Sequence, residues 1–508
     1  MSELRALGAP AVLALYYLTL GVLALYGAHR LLLVWVYRRT RGQRPQLPSA
    51  PADWPVVTVQ LPLYNEMYVA RRLLDAVAAL DYPADRLEIQ VLDDSTDETV
   101  EVTAEQVAYY QRRGLSVVHL RRGRREGYKA GALEAGLASA RGELIAVFDA
   151  DFVPAPDFLK RTVPFLTADP GLGMVQARWS HLNRRFSLLT RIQAIFLDGH
   201  FWIEHSARHR GGCFFNFNGT AGIWRRAAIE SAGGWEHDTV TEDLDLSYRA
   251  QLAGWRFLYL PELAVASELP VDINGFKSQQ RRWAQGSVQT GRKLLGRLLS
   301  APLPWRVKLE AFVHLTNNLA YPLMVLLSLL VFPAMVLRRG SSPLHLLALD
   351  LPMFLAATAS VLLFYAESQR AEGEGSSREI WLLPAVMGLG IGLALSNSLA
   401  VLAGLVRRGG VFERTPKYAL ARRGEEWQSK RYQSRSGVTL WLEGLFALYF
   451  LGVTGTSALT GMWLSLPFLY LFLQGYCYIF LLSLLPNLRA RRGLPRPTEP
   501  GEAMAESL

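Results

Sequence analysis

Apolar residues crowd the two ends of this chain and alternate with polar ones in its middle. Ala11 to Tyr37 is almost wholly apolar, broken only by His29 and Arg30, and is long enough to span a bilayer. It lacks the shorter apolar region and small-residue cleavage site of a signal peptide. Arg38, Arg39, Arg41 and Arg44 follow it. Positive charge marks the cytoplasmic side, so the N-terminus is expected outside and the next domain inside. After a Pro- and Ala-rich linker, Gln46 to Pro55, strand-length runs at 56–61, 87–92, 116–120 and 144–148 alternate with helical patterns. That alternation predicts a parallel sheet with helices on both faces. Five further runs of spanning length follow, at 311–337, 343–366, 380–406, 438–460 and 462–485.

Counting all five as crossings would put Arg407 to Arg435, dense in Arg and Lys, on the outside, where such charge does not belong. The conflict vanishes if 380–406 lies along the interface or re-enters; its Ser396, Asn397, Ser398 and glycines tolerate close packing. The expected organisation is an N-terminal span with its basic flank (1–45), a cytoplasmic α/β domain (46–300) and a membrane region of two spans plus the non-crossing segment (301–406). A basic cytoplasmic loop (407–437), two spans (438–487) and a disordered cytoplasmic tail (488–508) complete it. The 508 residues allow two or three domains. Mean hydropathy of +0.13 reflects the apolar ends around an ordinary middle. The net charge of +10 sits in arginines flanking apolar runs, which points to a cytoplasmic membrane surface and not to nucleic acid. Cys213 and Cys477 make neither a disulfide framework nor a metal-ligand set.

Candidate chemistry gathers at strand ends. The run Ile145 to Phe148 stops at Asp149-Ala150-Asp151. Residues i and i+2 of an extended chain point the same way, so both carboxylates can face one divalent ion. Hard oxygen ligands suit Mg²⁺ or Mn²⁺, which bridge carboxylates and a nucleotide diphosphate. Ligands of such sheets bind beyond the carboxyl ends of the strands; Tyr64-Asn65-Glu66, Asp93-Asp94 and Asp149-Asp151 all fall there. Lys129 opens a helix after a Gly-rich turn, placed either to pair with phosphate or to lie in solvent. Thr241 is a candidate N-cap with Glu242 and Asp243 in the first turn, and Leu244, Leu246 and Tyr248 begin an amphipathic helix. His200, His205 and His209 have a helix-surface spacing without a cysteine, and are read as structural.

Four signatures occur in order: Asp93 to Asp97, Asp149 to Asp151, Thr241 to Asp243, and Gln279-Gln280-Arg281-Arg282-Trp283. Together they resemble the processive inverting glycosyltransferases of the cellulose synthase and hyaluronan synthase kind, which are family 2 enzymes with the GT-A fold. Phe215 to Gly222, Gly127 to Leu133 and Val175 to Trp179 resemble the plant cellulose-synthase-like proteins that make mannan and xyloglucan backbones. The resemblance covers about residues 55 to 300 and continues more loosely beyond.

It implies an α/β GT-A domain inserted between transmembrane helices. Tyr64 and Glu66 would frame the donor base, and Asp93 or Asp94 would contact its nucleoside diphosphate end. Lys129 and Asp149 would also bind the nucleotide sugar, and Asp149 and Asp151 would hold the metal. Asp243, with Glu242 beside it, would be the general base that takes the acceptor hydroxyl's proton. Gln279 and Arg282 would bind the diphosphate leaving group, and Trp283 would stack on an acceptor sugar. Phe217, Asn218, Gly219 and Thr220, within Phe215 to Gly222, would line the acceptor site. Phe412 to Lys417 resembles the gating loop of cellulose synthases, with Thr415 and Lys417 on the diphosphate. It departs from that pattern with Arg414 in place of valine and Tyr418 in place of glycine. An interfacial helix occupies the place of 380–406 in cellulose synthases.

The implied activity is polymerisation of a β-linked hexose polysaccharide from UDP-glucose or GDP-mannose, with translocation through an inner (plasma) membrane. The alternative is a non-processive enzyme adding one sugar to a lipid acceptor, as in glucosylceramide synthase. Expected partners are the donor, a growing polysaccharide or lipid acceptor, and the bilayer, with no nucleic acid.

Overall fold

The computed structural model describes residues 2–338, 348, 351–410, 414–422, 424–427, 430–432 and 439–490. Part of the expected 343–366 run, Phe412 and Glu413 of the gating-type motif, and the tail after residue 490 therefore lie outside the described residues.

Helix α1 (Ser2–Thr40) leads into the α/β domain. There β1 (Val57–Leu63), β2 (Leu87–Asp93), β3 (Val117–Arg121) and β4 (Leu144–Val147) alternate with α2 (Ala70–Ala78), α3 (Thr99–Arg112) and α4 (Tyr128–Ser139). The chain continues through α5 (Phe158–Ala168), β5 (Leu172–His181), α6 (Leu188–Asp198), α7 (Ser206–Arg210), β6 (Gly222–Arg225), α8 (Arg226–Ser231), α9 (Glu242–Leu252) and β7 (Arg256–Ser267). The seven strands form one sheet in the order β3-β2-β1-β4-β6-β5-β7. The expected all-parallel sheet is corrected here: β6 runs antiparallel to both β4 and β5. The chain between β5 and β6 carries α6 and α7 and brings no crossover back to the strand beginnings, so β6 enters from the carboxyl end. A strand entering from that side must run backwards.

Alternation on β1 explains the two-sided core. Val57, Val59, Leu61 and Leu63 face one way and pack with Leu73, Leu74 and Val77 of α2. Thr58 and Gln60 face the other way, buried. In register with β2, Thr58 donates to Glu88 at 2.6 Å and Gln60 to Gln90 at 3.1 Å, which offsets most of the cost of burying them, although Gln60 Oε1 keeps no partner. A Cβ on Gly136 of α4 would meet Gln60 Nε2 at 2.6 Å, which is why a glycine faces this ladder.

Helix α10 (Ile273–Ser300) joins the domain to α11 (Trp305–Thr316) and α12 (Ala320–Leu337), followed by α13 (Ser360–Glu372), α14 (Leu383–Gly392), α15 (Ala394–Val406), α16 (Thr439–Leu459) and α17 (Leu466–Ala490). Among the described residues five helices are long and apolar enough to cross a membrane: Ala9–Thr40, Trp305–Leu337, Leu351–Glu372, Thr439–Leu459 and Trp463–Leu485. The run 380–406 is not a straight helix: α14 and α15 meet at a 44° bend. Backbones close together there. A Cβ on Gly392 would meet Gly475 O at 2.5 Å, and one on Gly475 would meet Gly388 O at 2.3 Å. Helix α10 ties the parts together. Lys277 forms a buried ion pair with Glu443 of α16, and Arg292 donates to Gly404 O of α15 at 2.8 Å.

Candidate active site

The carboxyl ends of β1, β2 and β4, the start of α9, the end of β7, the middle of α10 and the segment 414–417 enclose one cleft of ≈ 1190 Å³, open to solvent. Asp94, Asp149, Asp151, Glu242 and Asp243 line it together, with Tyr64, Glu66, Lys129, Asn218, Gly219, Gln279, Arg282, Trp283, Thr415 and Lys417.

Three expected site residues lie elsewhere. Asp93 is 1% exposed on β2; its carboxylate accepts the Ser95 N–H at 2.9 Å and pairs with His119 at 2.9 Å. Burial alone would raise its pKa, but His119 and Ser95 hold it below the usual carboxylate range. Phe217 is fully buried, edge-on to Trp224 at 5.6 Å, because its side chain points into the sheet's second core. Thr220 is buried too, its hydroxyl accepting the Asp149 N–H at 2.9 Å, so it shapes the cleft from behind.

The Asp149-Ala150-Asp151 stretch is not extended. β4 ends at Val147, and the Phe152 N–H donates to Asp149 O at 3.0 Å, closing a turn. The two carboxylates reach the same cleft through that turn and not through strand alternation. Each faces a cation: Lys129 Nζ donates to Asp149 Oδ1 at 2.5 Å, and Lys417 Nζ to Asp151 Oδ2 at 2.8 Å. Two hard carboxylates on one wall offer the oxygen ligands that a divalent cation takes, and such an ion would displace the lysine contacts. Asp94 is gripped by Arg122 through both oxygens, at 3.0 and 2.5 Å. The Thr415 hydroxyl and Glu66 Oε2 are buried and make no hydrogen bond with the protein, which leaves them for a ligand.

Backbone strain concentrates here. Asn65, Tyr128 and Ala221 have φ of +54°, +51° and +55°, and Gly219 has +80°. A Cβ on Gly219 would meet Asp243 Oδ2 at 3.1 Å and Lys129 Nζ at 3.3 Å. Lys129 donates to Gly219 O at 2.9 Å. Burial works against its charge, but Asp149, Glu242 and Asp243 outweigh that and raise its pKa. Thr241 occupies the N-cap of α9 without a capping hydrogen bond; Asp243 Oδ1 instead accepts the Leu244 N–H at 2.8 Å. Helix α9 is buried on most sides and not amphipathic as expected. Desolvation, then the charge of Glu242, push the Asp243 carboxyl up to about 7, against the pull of Lys129 and Arg282. Burial likewise pushes Glu66 up to about 8, with Arg414 opposing.

Residue patterns missed several cleft groups. Arg125 stacks over the Tyr64 ring at 3.4 Å; it follows β3, at the same strand ends that drew attention to Asp93 and Asp94. Arg414 donates to Tyr64 O at 3.4 Å and lies over the Tyr432 ring at 3.8 Å. Trp179 and Glu268 line the cleft as well; no local pattern marks Glu268. His205 is buried and pairs with Asn216 O at 3.0 Å, and His200 with Glu204 at 3.0 Å.

Residues 55–286 match the family described as glycosyltransferase like family 2. This stretch is a family 2 glycosyltransferase domain. It is 47% identical over 248 residues to glucomannan 4-beta-mannosyltransferase 2 of Arabidopsis thaliana, covering 48% of this chain and 46% of that protein. It is 43% identical over 277 residues to glucomannan 4-beta-mannosyltransferase 1 of Oryza sativa subsp. japonica, covering 52% and 53%. The matching region thus spans about half the length of these relatives, and with them the family 2 domain is cellulose-synthase-like. A mannosyltransferase of Pyrobaculum calidifontis, solved with GDP-Man and Mn²⁺, superposes with a TM-score of 0.51 at 22% identity over 76% of this chain and 99% of that one. The family 2 domain therefore has the GT-A fold, its mixed sheet flanked by the apolar helices.

Proposed function

We propose that this chain is a membrane-embedded inverting hexosyltransferase that polymerises a β-linked polysaccharide from a nucleotide sugar and threads it across the membrane. The observation that carries the reading is the position of Asp243. Its carboxyl, with a pKa of about 7, shares one cleft with Asp94, Asp149, Asp151 and Arg282. A general base works best with a pKa near the working pH.

In this reading the base of the donor lies by Tyr64 and Glu66, the diphosphate between Lys129, Arg282 and Lys417, and the acceptor sugar against Trp283 beside Asn218 and Gly219. Asp243 accepts the proton of the acceptor hydroxyl as its oxygen bonds to the anomeric carbon. The bond from that carbon to the diphosphate breaks, and its electron pair leaves with the phosphate oxygen. Attack opposite the leaving group inverts the centre, so an α-linked donor gives a β-linked product. Lys129 and Arg282 stabilise charge on the leaving group as the bond breaks. A Mg²⁺ or Mn²⁺ ion held by Asp149 and Asp151 would add positive charge at the same diphosphate.

The names of the curated relatives favour a mannosyl donor, and hence GDP-mannose over UDP-glucose. Arg38, Arg39, Arg41 and Arg44 after the first span support a catalytic domain on the cytoplasmic side, and in this reading the membrane is an inner (plasma) membrane. The test is a panel of radiolabelled GDP-mannose, UDP-glucose and UDP-N-acetylglucosamine given to the purified full chain. A long β-mannan or mixed polymer from GDP-mannose supports the proposal; a single sugar transferred to lipid favours the non-processive alternative; no transfer from any donor rejects both.

A further inference from the structure

Glu268 follows β7 directly, and its side chain is 1% exposed. The carboxylate accepts two main-chain N–H groups from the segment after Thr415: Tyr418 on Oε1 at 2.8 Å and Leu420 on Oε2 at 3.1 Å. The main chain of Glu268 reaches the other way. Its N–H donates to Asp151 Oδ2 at 3.0 Å, and its C=O accepts from Lys417 Nζ, which also donates to Asp151. One residue thus touches the expected cation-binding carboxylate with its backbone and the overlying segment with its side chain.

Ala419, between the two bound amides, has φ of +57°. L side chains rarely adopt that conformation, and it persists only where the surroundings over-determine it. The Glu268 carboxylate supplies that constraint by binding the amide on either side of Ala419. Arg72 also faces Oε2, at 3.5 Å, but the two main-chain N–H groups are the shorter contacts. Packing alone gives no reason for the charge, because an apolar side chain of similar size fills a buried space without desolvation.

We propose that Glu268 is a positioning residue for the transfer reaction: it latches residues 417–420 over the cleft and sets Lys417 against Asp151, coupling closure of the segment to donor binding. This rests on the donor site described under Proposed function. Glutamine at this position keeps one acceptor oxygen but turns an NH₂ donor toward one of the two amides. Aspartate keeps the charge on a shorter stem.

The experiment compares full-length wild type, Glu268→Gln and Glu268→Asp in lipid nanodiscs. Tryptic cleavage after Arg422 and Lys430, just beyond the latch, is followed without donor, and KM and kcat are measured with the active nucleotide sugar. Losing hydrogen bonds to a buried charge shifts a local opening equilibrium by about tenfold or more. Glu268→Gln is therefore expected to be cut about tenfold faster and to raise the donor KM by a similar factor, with a smaller change in kcat. Glu268→Asp should recover part of both effects. If Glu268→Gln only unfolds at lower temperature, with cleavage and KM at wild-type values, the residue merely supports the fold and the proposal is overturned. Should wild type turn over no nucleotide sugar, the proposed activity fails, while the cleavage comparison still decides whether the latch exists.

Discussion

At the scale of single residues, the two neighbouring carboxylates Asp93 and Asp94 separate cleanly. Asp93→Asn removes charge-assisted hydrogen bonds to His119 and Ser95, so it should lower stability by roughly 1–3 kcal/mol and leave the donor KM unchanged. Asp94→Asn should raise the donor KM and also lower stability through its pair with Arg122, so the donor KM is what separates them; denaturation and steady-state kinetics of both variants check this. For Asp243, replacement by Asn should lower transfer by about 10²–10⁴-fold while nucleotide binding persists, measured by titration with the diphosphate product. The proposed base must be ionised to work, so wild-type kcat/KM should fall as pH drops below about 7, the value to which desolvation and Glu242 push it. Stability runs the other way. Asp243 has an ordinary value of 3.8 when unfolded and about 7 when folded, so the folded state holds the extra proton between them. Its stabilising contribution is whole below 3.8 and is lost as pH rises through about 7. Asp243→Asn should therefore melt several degrees above wild type at pH 8 and level with it near pH 4. Equal melting at both would show that the carboxyl is not held in a desolvated cleft.

At the scale of elements, the cleft is built where strand ends and helix starts converge. The carboxyl ends of β1, β2 and β4 were readable from strand-length apolar runs that stop at polar residues. The reversed β6 was not, because a four-residue strand inside a long connection leaves little periodic signal. The turn through Asp149 to Asp151 was also misjudged by local geometry. The spacing suggested a shared cation through strand alternation, but the tertiary turn and not strand pleating aims both side chains into the cleft. In the membrane part, the backbone contact of α14 with α17 sets a sharper test. Gly475→Val would press a side chain on Gly388 O, where even a Cβ lies at 2.3 Å. The variant is expected to lose several kcal/mol or fail to assemble, seen as aggregation or a lowered melting temperature in detergent. Gly452→Val on α16, where a Cβ meets nothing within 4 Å, should be near neutral.

At the scale of the whole molecule, orientation follows from whether the bent pair α14–α15 crosses. If it does not, the segment around Arg422 and the catalytic domain share one side, and the turn before α17 near Trp463 lies on the other. With Cys213 and Cys477 replaced, a cysteine at Arg422 should label from the catalytic-domain side and one at Trp463 from the opposite side; labelling of both from one side would refute this arrangement. The proposed donor, acceptor and bilayer path share this geometry, since α10 carries Arg282 and Trp283 and also bonds to α15 and α16. The amino-acid sequence by itself determined the first four strands and their alternation with helices, the apolar helices, and which residues could carry chemistry. Those depend on local periodicity, charge and short motifs, which act within a few residues. Only the tertiary structure decided that Asp93, Phe217 and Thr220 support the cleft from outside it, and that Glu268 joins Asp151 to a segment about 150 positions later. Burial and long-range hydrogen bonding set those roles, and neither leaves a mark on neighbouring residues in the chain.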